Sequence, residues 1–103
     1  MSKLIIDAAK DKIFFMIIKK DISHYITHEN TKINFEKIMI LLNKFLISKS
    51  IKINDISGIY VNRGPGSFAG IRNSLSTIKA IHLVKKIDYY CFSFDDFKGI
   101  EII

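Results

Sequence analysis

At 103 residues, 49% of them hydrophobic and 12% aromatic, the chain reads as one domain with a modest two-layer core. It is too small for two lobes and too apolar for a disordered segment. No apolar run nears the roughly 20 residues of a membrane span, Met1-Ser2-Lys3 opens no signal peptide, and the single cysteine, Cys91, excludes an internal disulfide and fits a reducing cytoplasm.

Leu4 to Ala8 reads as a short apolar first strand. Lys12 to Lys20, rich in Ile, Phe and Met and punctuated by Asp21, is the second, and Ile22 to His28 the third. In that third strand Ile22, His24, Ile26 and His28 share one face, opposite Ser23, Tyr25 and Thr27. The links are too short for crossover helices, which predicts an antiparallel meander. Asn30 or Asn34 is placed to cap a helix reaching about Lys49, with Phe35, Ile38, Met39, Leu42, Phe45 and Leu46 as its core stripe. Ile56 to Val61 follows as a buried strand, Phe68 to Lys86 as a helix without proline, and Ile87 to Phe92 as a last strand. Within it Cys91, among Tyr89, Tyr90 and Phe92, is expected to be a buried small hydrophobe. A further helix starts at Asp95. The order is βββαβαβα.

Strand and second helix meet at Asn62-Arg63-Gly64-Pro65-Gly66-Ser67-Phe68-Ala69-Gly70-Ile71-Arg72. Pro65, the only proline, fixes one φ, and the flanking Gly64 and Gly66 can take conformations closed to residues with a Cβ. Ser67 stands at the N-cap, so the segment forms a tight elbow with helix amides that could meet an anion or a close backbone. It is no Walker A loop, since no Gly-Lys-Ser/Thr closes it. Gly64-x-Gly66-x-x-Ala69 meets the loosest dinucleotide pattern, but apolar segments precede it and Lys85 and Lys86 stand where an acidic residue is needed.

The phrase Gly-Pro-Gly-Ser-Phe-Ala-Gly-Ile-Arg is far more specific than glycine spacing, and it resembles the signature of the TsaB (YeaZ) family, GPGSFTG followed by an aliphatic residue and Arg. Leu4-Ile5-Ile6-Asp7, Asp55-Ile56-Ser57-Gly58-Ile59 and Ser93-Phe94-Asp95-Asp96-Phe97 resemble that family's first strand, its approach to the elbow and its next helix start. The resemblance implies an α/β fold, the ribonuclease H-like βββαβαβα unit of the actin/Hsp70-like (ASKHA) superfamily. Strand 1 should be central, with the elbow strand beside it. Residues 1–103 would be a single N-terminal lobe without the family's second lobe. The implied role is a non-catalytic subunit, without cofactor and cytoplasmic, that supports a TsaD-type enzyme in N6-threonylcarbamoyladenosine modification at position 37 of tRNA. Its implied partners are that enzyme or a second copy of itself, with a third ATPase subunit in the complex and tRNA met indirectly.

Candidate chemistry is thin. Asp7 ends the first strand where nucleases and ATPases of this fold keep a carboxylate, and Glu36 could be a second, but the elbow strand ends in Asn62. One carboxylate with doubtful help does not hold two divalent ions. Asp7-Ala8-Ala9-Lys10 lacks the Gly and Thr of a first phosphate loop, so Asp7 reads equally well as a turn cap. His24 and His28 on a strand sit about 13 Å apart, too far for one ion, and are expected to be structural or on the surface. TsaD-like enzymes carry metal histidines just after the strand matching Tyr89 to Phe92, where this chain has Ser93-Phe94-Asp95-Asp96-Phe97. The competing reading is a small nucleotide-binding or hydrolase-like enzyme that uses the Gly64 to Gly70 elbow and Asp7.

A net charge of +6 could serve nucleic acid, but arginine occurs only at Arg63 and Arg72, and Lys79, Lys85 and Lys86 with His82 read first as a solvated helix end. What remains is surface for a partner. Ile40 and Ile47 point away from the first helix's core stripe, and Gly70, Ser74 and Thr77 form a small-residue face continued by Ile81 and Val84. The resemblance implies pairing through these two helices. The terminal apolar residues Phe94, Phe97, Ile100, Ile102 and Ile103 are expected to dock on this lobe or on a partner.

Overall fold

The computed structural model describes residues 2–93. The expected helix at Asp95, and the docking of Phe94, Phe97, Ile100, Ile102 and Ile103, lie outside the described residues.

Alternation builds the meander. β1 (Ser2–Asp7), β2 (Lys12–Lys19) and β3 (Ile22–Glu29) pair antiparallel. Leu4 and Ile6 on β1, with Ile13, Phe15 and Ile17 on β2, turn to one side and are fully buried. β4 (Ile56–Asn62) runs parallel to β1, and β5 (Tyr89–Phe92) parallel to β4. The sheet order is β3-β2-β1-β4-β5, with β1 central and the elbow strand beside it. Parallel neighbours need crossovers. They are α1 (Lys32–Glu36) with α2 (Ile38–Ser48) between β3 and β4, and α3 (Phe68–Lys85) between β4 and β5. Phe35, Ile38, Leu42, Phe45, Leu46, Ile78 and Ile81 of these helices join the buried strand residues in one cluster. Full burial of each large side chain there contributes roughly 1.5–3 kcal/mol.

Three local expectations are corrected. Thr31, not Asn30 or Asn34, caps the first helix, its hydroxyl accepting from Asn34 N at 3.2 Å. Both asparagines instead donate from their side chains to backbone carbonyls, Asn30 to Lys10 O and Asn34 to Glu29 O. The predicted continuous helix is two, broken at Lys37 (φ −110, ψ 16). Ile38 is buried, whereas Met39, on the flank of the stripe, is 48% exposed. Cys91 is exposed, because β5 is a four-residue edge strand with a neighbouring strand on one side only among the described residues.

Candidate partner interface and the elbow beside it

The elbow is a knot of backbone and short polar groups. Asn62 is fully buried at the end of β4. Its Nδ2 donates to Asp7 Oδ1 at 3.1 Å, and its Oδ1 accepts from Gly64 N at 2.9 Å. Asp7 Oδ1 also accepts from Ala9 N at 3.0 Å, so this carboxylate holds the turn after β1. The Gly64–Pro65 peptide is cis. Ser67 N donates to Ala9 O at 2.9 Å, and Ser67 Oγ accepts from Gly70 N at 3.2 Å, the expected N-cap. A Cβ on Gly66 would lie 2.1 Å from Ala9 O, and one on Gly70 1.9 Å from Ala8 O. The glycines therefore let α3 press its first turn onto the β1–β2 connection.

That packing bears on the nucleotide that the superfamily implies. The elbow amides of Gly64, Ser67 and Gly70 are engaged by the protein's own oxygens, and the Ala8–Ala9 backbone lies directly against Gly66 and Gly70. The residues present do not fit a phosphate seated on this elbow. Among the described residues no three His, Cys, Asp or Glu side chains group to hold a metal ion. Glu36 ends α1 and lines a shallow hollow with Lys32, Phe35 and Arg72.

The histidines serve the fold. His24 and His28 face Ile17 and Ile13 across β2–β3, and the His28 ring meets Phe15 edge-on at 6.0 Å. His82 Nδ1 bonds Ile87 O at 2.9 Å and its ring packs edge-on against Tyr89 at 5.3 Å. His82 is thereby drawn from the cationic cluster into the junction of α3 with β5.

The expected partner surface divides in two. Gly70, Ser74 and Ile81 are buried in the chain's own core, Ser74 donating its hydroxyl to Ile71 O at 3.0 Å. The small-residue face expected from the sequence is thus packed within this lobe, although Ile81 also lines the groove between α2 and α3. Thr77 is half-buried and donates to Asn73 O. Ile40 (53% exposed) and Ile47 (68%) do face outward, as do Met39, Leu83 (68%) and Val84 (75%). Between α2 and α3 runs a groove of about 590 Å³, lined by Met39, Leu42, Leu46, Thr77, Ala80 and Val84 among others. Leu83 is not picked out by the sequence pattern because it belongs to no core stripe. Its one signal is an apolar residue on a face otherwise given to Arg72, Ser76 and Lys79.

Comparison with known proteins agrees with the fold. A family model described as TsaD, tRNA N6-adenosine threonylcarbamoyltransferase, matches residues 29–93. The chain is 28% identical over 90 residues to the tRNA threonylcarbamoyladenosine biosynthesis protein TsaB of Buchnera aphidicola subsp. Schizaphis graminum, covering 87% of this chain and 43% of that protein. Among solved structures it is similar to YeaZ from Pseudomonas aeruginosa, with a TM-score of 0.81 at 13% identity over 89% of this chain and 43% of that one. A second structure, of an uncharacterized protein with similarity to peptidase YeaZ from the same organism, matches equally well. At that identity the structural likeness speaks for the fold. The chain spans less than half the length of the relatives it matches. No helix among the described residues is long and apolar enough to cross a membrane.

Proposed function

The chain belongs to the threonylcarbamoyltransferase family that this model describes, on its TsaB/YeaZ side, and from that premise we propose that it is a non-catalytic partner subunit. It supports a TsaD-type enzyme in forming N6-threonylcarbamoyladenosine on tRNA, in the cytoplasm, and acts by association through the α2–α3 face. The observation that carries this reading is the face itself. Met39 and Val84 line an apolar groove, and Ile40, Ile47 and Leu83 face outward on the same two helices, each about half or more exposed, although both helices are already anchored to the sheet by another side. Exposed apolar side chains gathered beside a groove mark an interaction site.

The enzyme reading has less behind it. Asp7 Oδ1 accepts from Ala9 and Asn62, and the elbow is packed against Ala8 and Ala9. Titration calorimetry of the chain with ATP, ADP and NAD in magnesium should detect no Kd below about 100 μM. Tight, Asp7-dependent binding would put the enzyme reading first.

The test of the proposal is restoration. Expressed in a bacterium depleted of TsaB, the chain should restore threonylcarbamoyladenosine in bulk tRNA, read by mass spectrometry of nucleosides, and should co-purify with a TsaD-type subunit. No binding to that subunit and no restored modification would refute it.

A further inference from the structure

The long edge of the sheet is bare. Among the described residues β3 has β2 on one side and no strand on the other, and it runs for eight residues against four in β5 at the opposite edge. Its pairing with β2 is unbroken from Lys12↔Glu29 to Lys19↔Ile22, so no bulge turns it away. Between Asp21 and Glu29 there is no lysine, arginine or proline. Short strands, bulges, prolines and edge lysines are what ordinarily keep sheet edges from pairing, and β3 has none of them. Ile22 is 61% exposed on it and Tyr25 66%.

The hairpin decides which backbone groups are free. Lys20 and Asp21 form its turn, so the closing pair Lys19–Ile22 is hydrogen-bonded and bonded pairs alternate from there. Ile22, His24, Ile26 and His28 therefore bond to β2, while Ser23, Tyr25 and Thr27 aim their N–H and C=O groups out of the sheet. The next carbonyl in that outward series, Glu29 O, already accepts from Thr31 N at 3.0 Å and Asn34 Nδ2 at 2.8 Å. The open series is thus centred on Tyr25.

We propose that β3 is a self-pairing edge: a second copy of this chain adds its β3 antiparallel to this one, about a two-fold axis at Tyr25, and the two sheets become one. Tyr25 exchanges backbone bonds with the partner's Tyr25, and Ser23 with the partner's Thr27, giving about six new bonds. Beside them His24 meets the partner's Ile26 and Ile22 the partner's His28, which covers the exposed isoleucine. The Phe14–Tyr25 stack, with centroids 5.9 Å apart, runs on into the partner's Tyr25. At each corner Asp21 faces the partner's Glu29, and two lysines stand with them: Lys20 beside Asp21, and Lys12, which pairs with Glu29. The corners are therefore neutral. A foreign strand finds no charge between Asp21 and Glu29 to select it, whereas the outward groups about Tyr25 read the same from both copies. No residue of β3 lines the α2–α3 groove, so this seam is separate from that face.

The test is self-association of the full chain. Sedimentation equilibrium should show a reversible dimer with a Kd of roughly 10–100 μM, as befits a weak seam. Ser23→Pro/Thr27→Pro removes two outward N–H groups and no bond to β2, so it should stay monomeric with its low-concentration melting temperature retained. Register is read in a Cys91→Ser background with oxidised glutathione. Tyr25→Cys should link to its own copy, since a bonded antiparallel pair sets Cα atoms about 5.5 Å apart, within disulfide reach. Ser23→Cys stands about 14 Å out of register with itself and should not, but a mixture of Ser23→Cys and Thr27→Cys chains should. The proposal is overturned by a chain still monomeric at about 500 μM, or by Ser23→Cys linking to itself as fast as Tyr25→Cys. It is equally overturned by a dimer that survives in the proline variant and is lost in Ile47→Glu, which would give the second copy to the helices. If the proline variant does not fold, the cross-linking pattern decides alone.

Discussion

The carbonyl oxygen of Ala8 lies 1.9 Å from the point where a Cβ on Gly70 would stand, with Phe35 Cε1 2.9 Å from the same point. α3 can lie on the β1–β2 connection only because residue 70 has no side chain. Backbone cannot step aside as a flexible side chain can, so Gly70→Ala should lower stability by roughly 3 kcal/mol, the upper part of the overpacking range. Urea denaturation checks this, and a loss below about 0.5 kcal/mol, the scale of a surface change, would mean that the helix is not seated this closely.

Asn62 links three segments at once. Asn62→Ala removes the donor to Asp7 and the acceptor for Gly64 N at a site with no solvent exposure. An orphaned buried amide with a weakened carboxylate contact costs roughly 2–3 kcal/mol. The midpoint of chemical denaturation should fall accordingly with its slope unchanged, whereas a wild-type midpoint would show that the network does not bear on stability.

Ile47→Glu addresses the interface. Ile47 is 68% exposed, so the substitution should move stability by no more than about 0.5 kcal/mol. In a complex it would bury an unpaired carboxylate in an apolar contact, at a cost of a few kcal/mol. Light scattering with a TsaD-type subunit should show association lost and the melting temperature retained. Association as tight as wild type would remove α2 from the interface.

Lys86 closes α3 in the left-handed region, with φ +59 and ψ 33. A side chain there is strained and glycine is not, so Lys86→Gly should raise stability by about 0.5–1 kcal/mol. The melting temperature should rise by a few degrees. A fall would mean that the Lys86 side chain contributes more than its backbone costs.

Period-two alternation in β1 to β3, one three-and-four stripe in the first helix and a glycine-proline turn between strand and helix were enough to read the element order from the sequence, whereas the central place of β1 followed from the family resemblance. Those signals are local: each depends on which side chains can face the same way within a few residues. The elbow was legible for the same reason, since its residues are the ones a strand-to-helix turn demands. The face of α3 that turns inward was not legible. Gly70, Ser74, Ala80, Ile78, Ile81, Leu83 and Val84 spread small and apolar residues over more than half of the circumference, so periodicity alone does not say which part of that arc turns inward. Only the contact with Ala8 and the sheet selects Gly70, Ser74, Ile78 and Ile81 as core and leaves Leu83 and Val84 outside. Met39 was misplaced for a related reason: it stands at the edge of the stripe, where the spacing admits either burial or exposure. Which residues can be buried is written in their chemistry, but which of them are buried is decided by the backbone that happens to lie opposite.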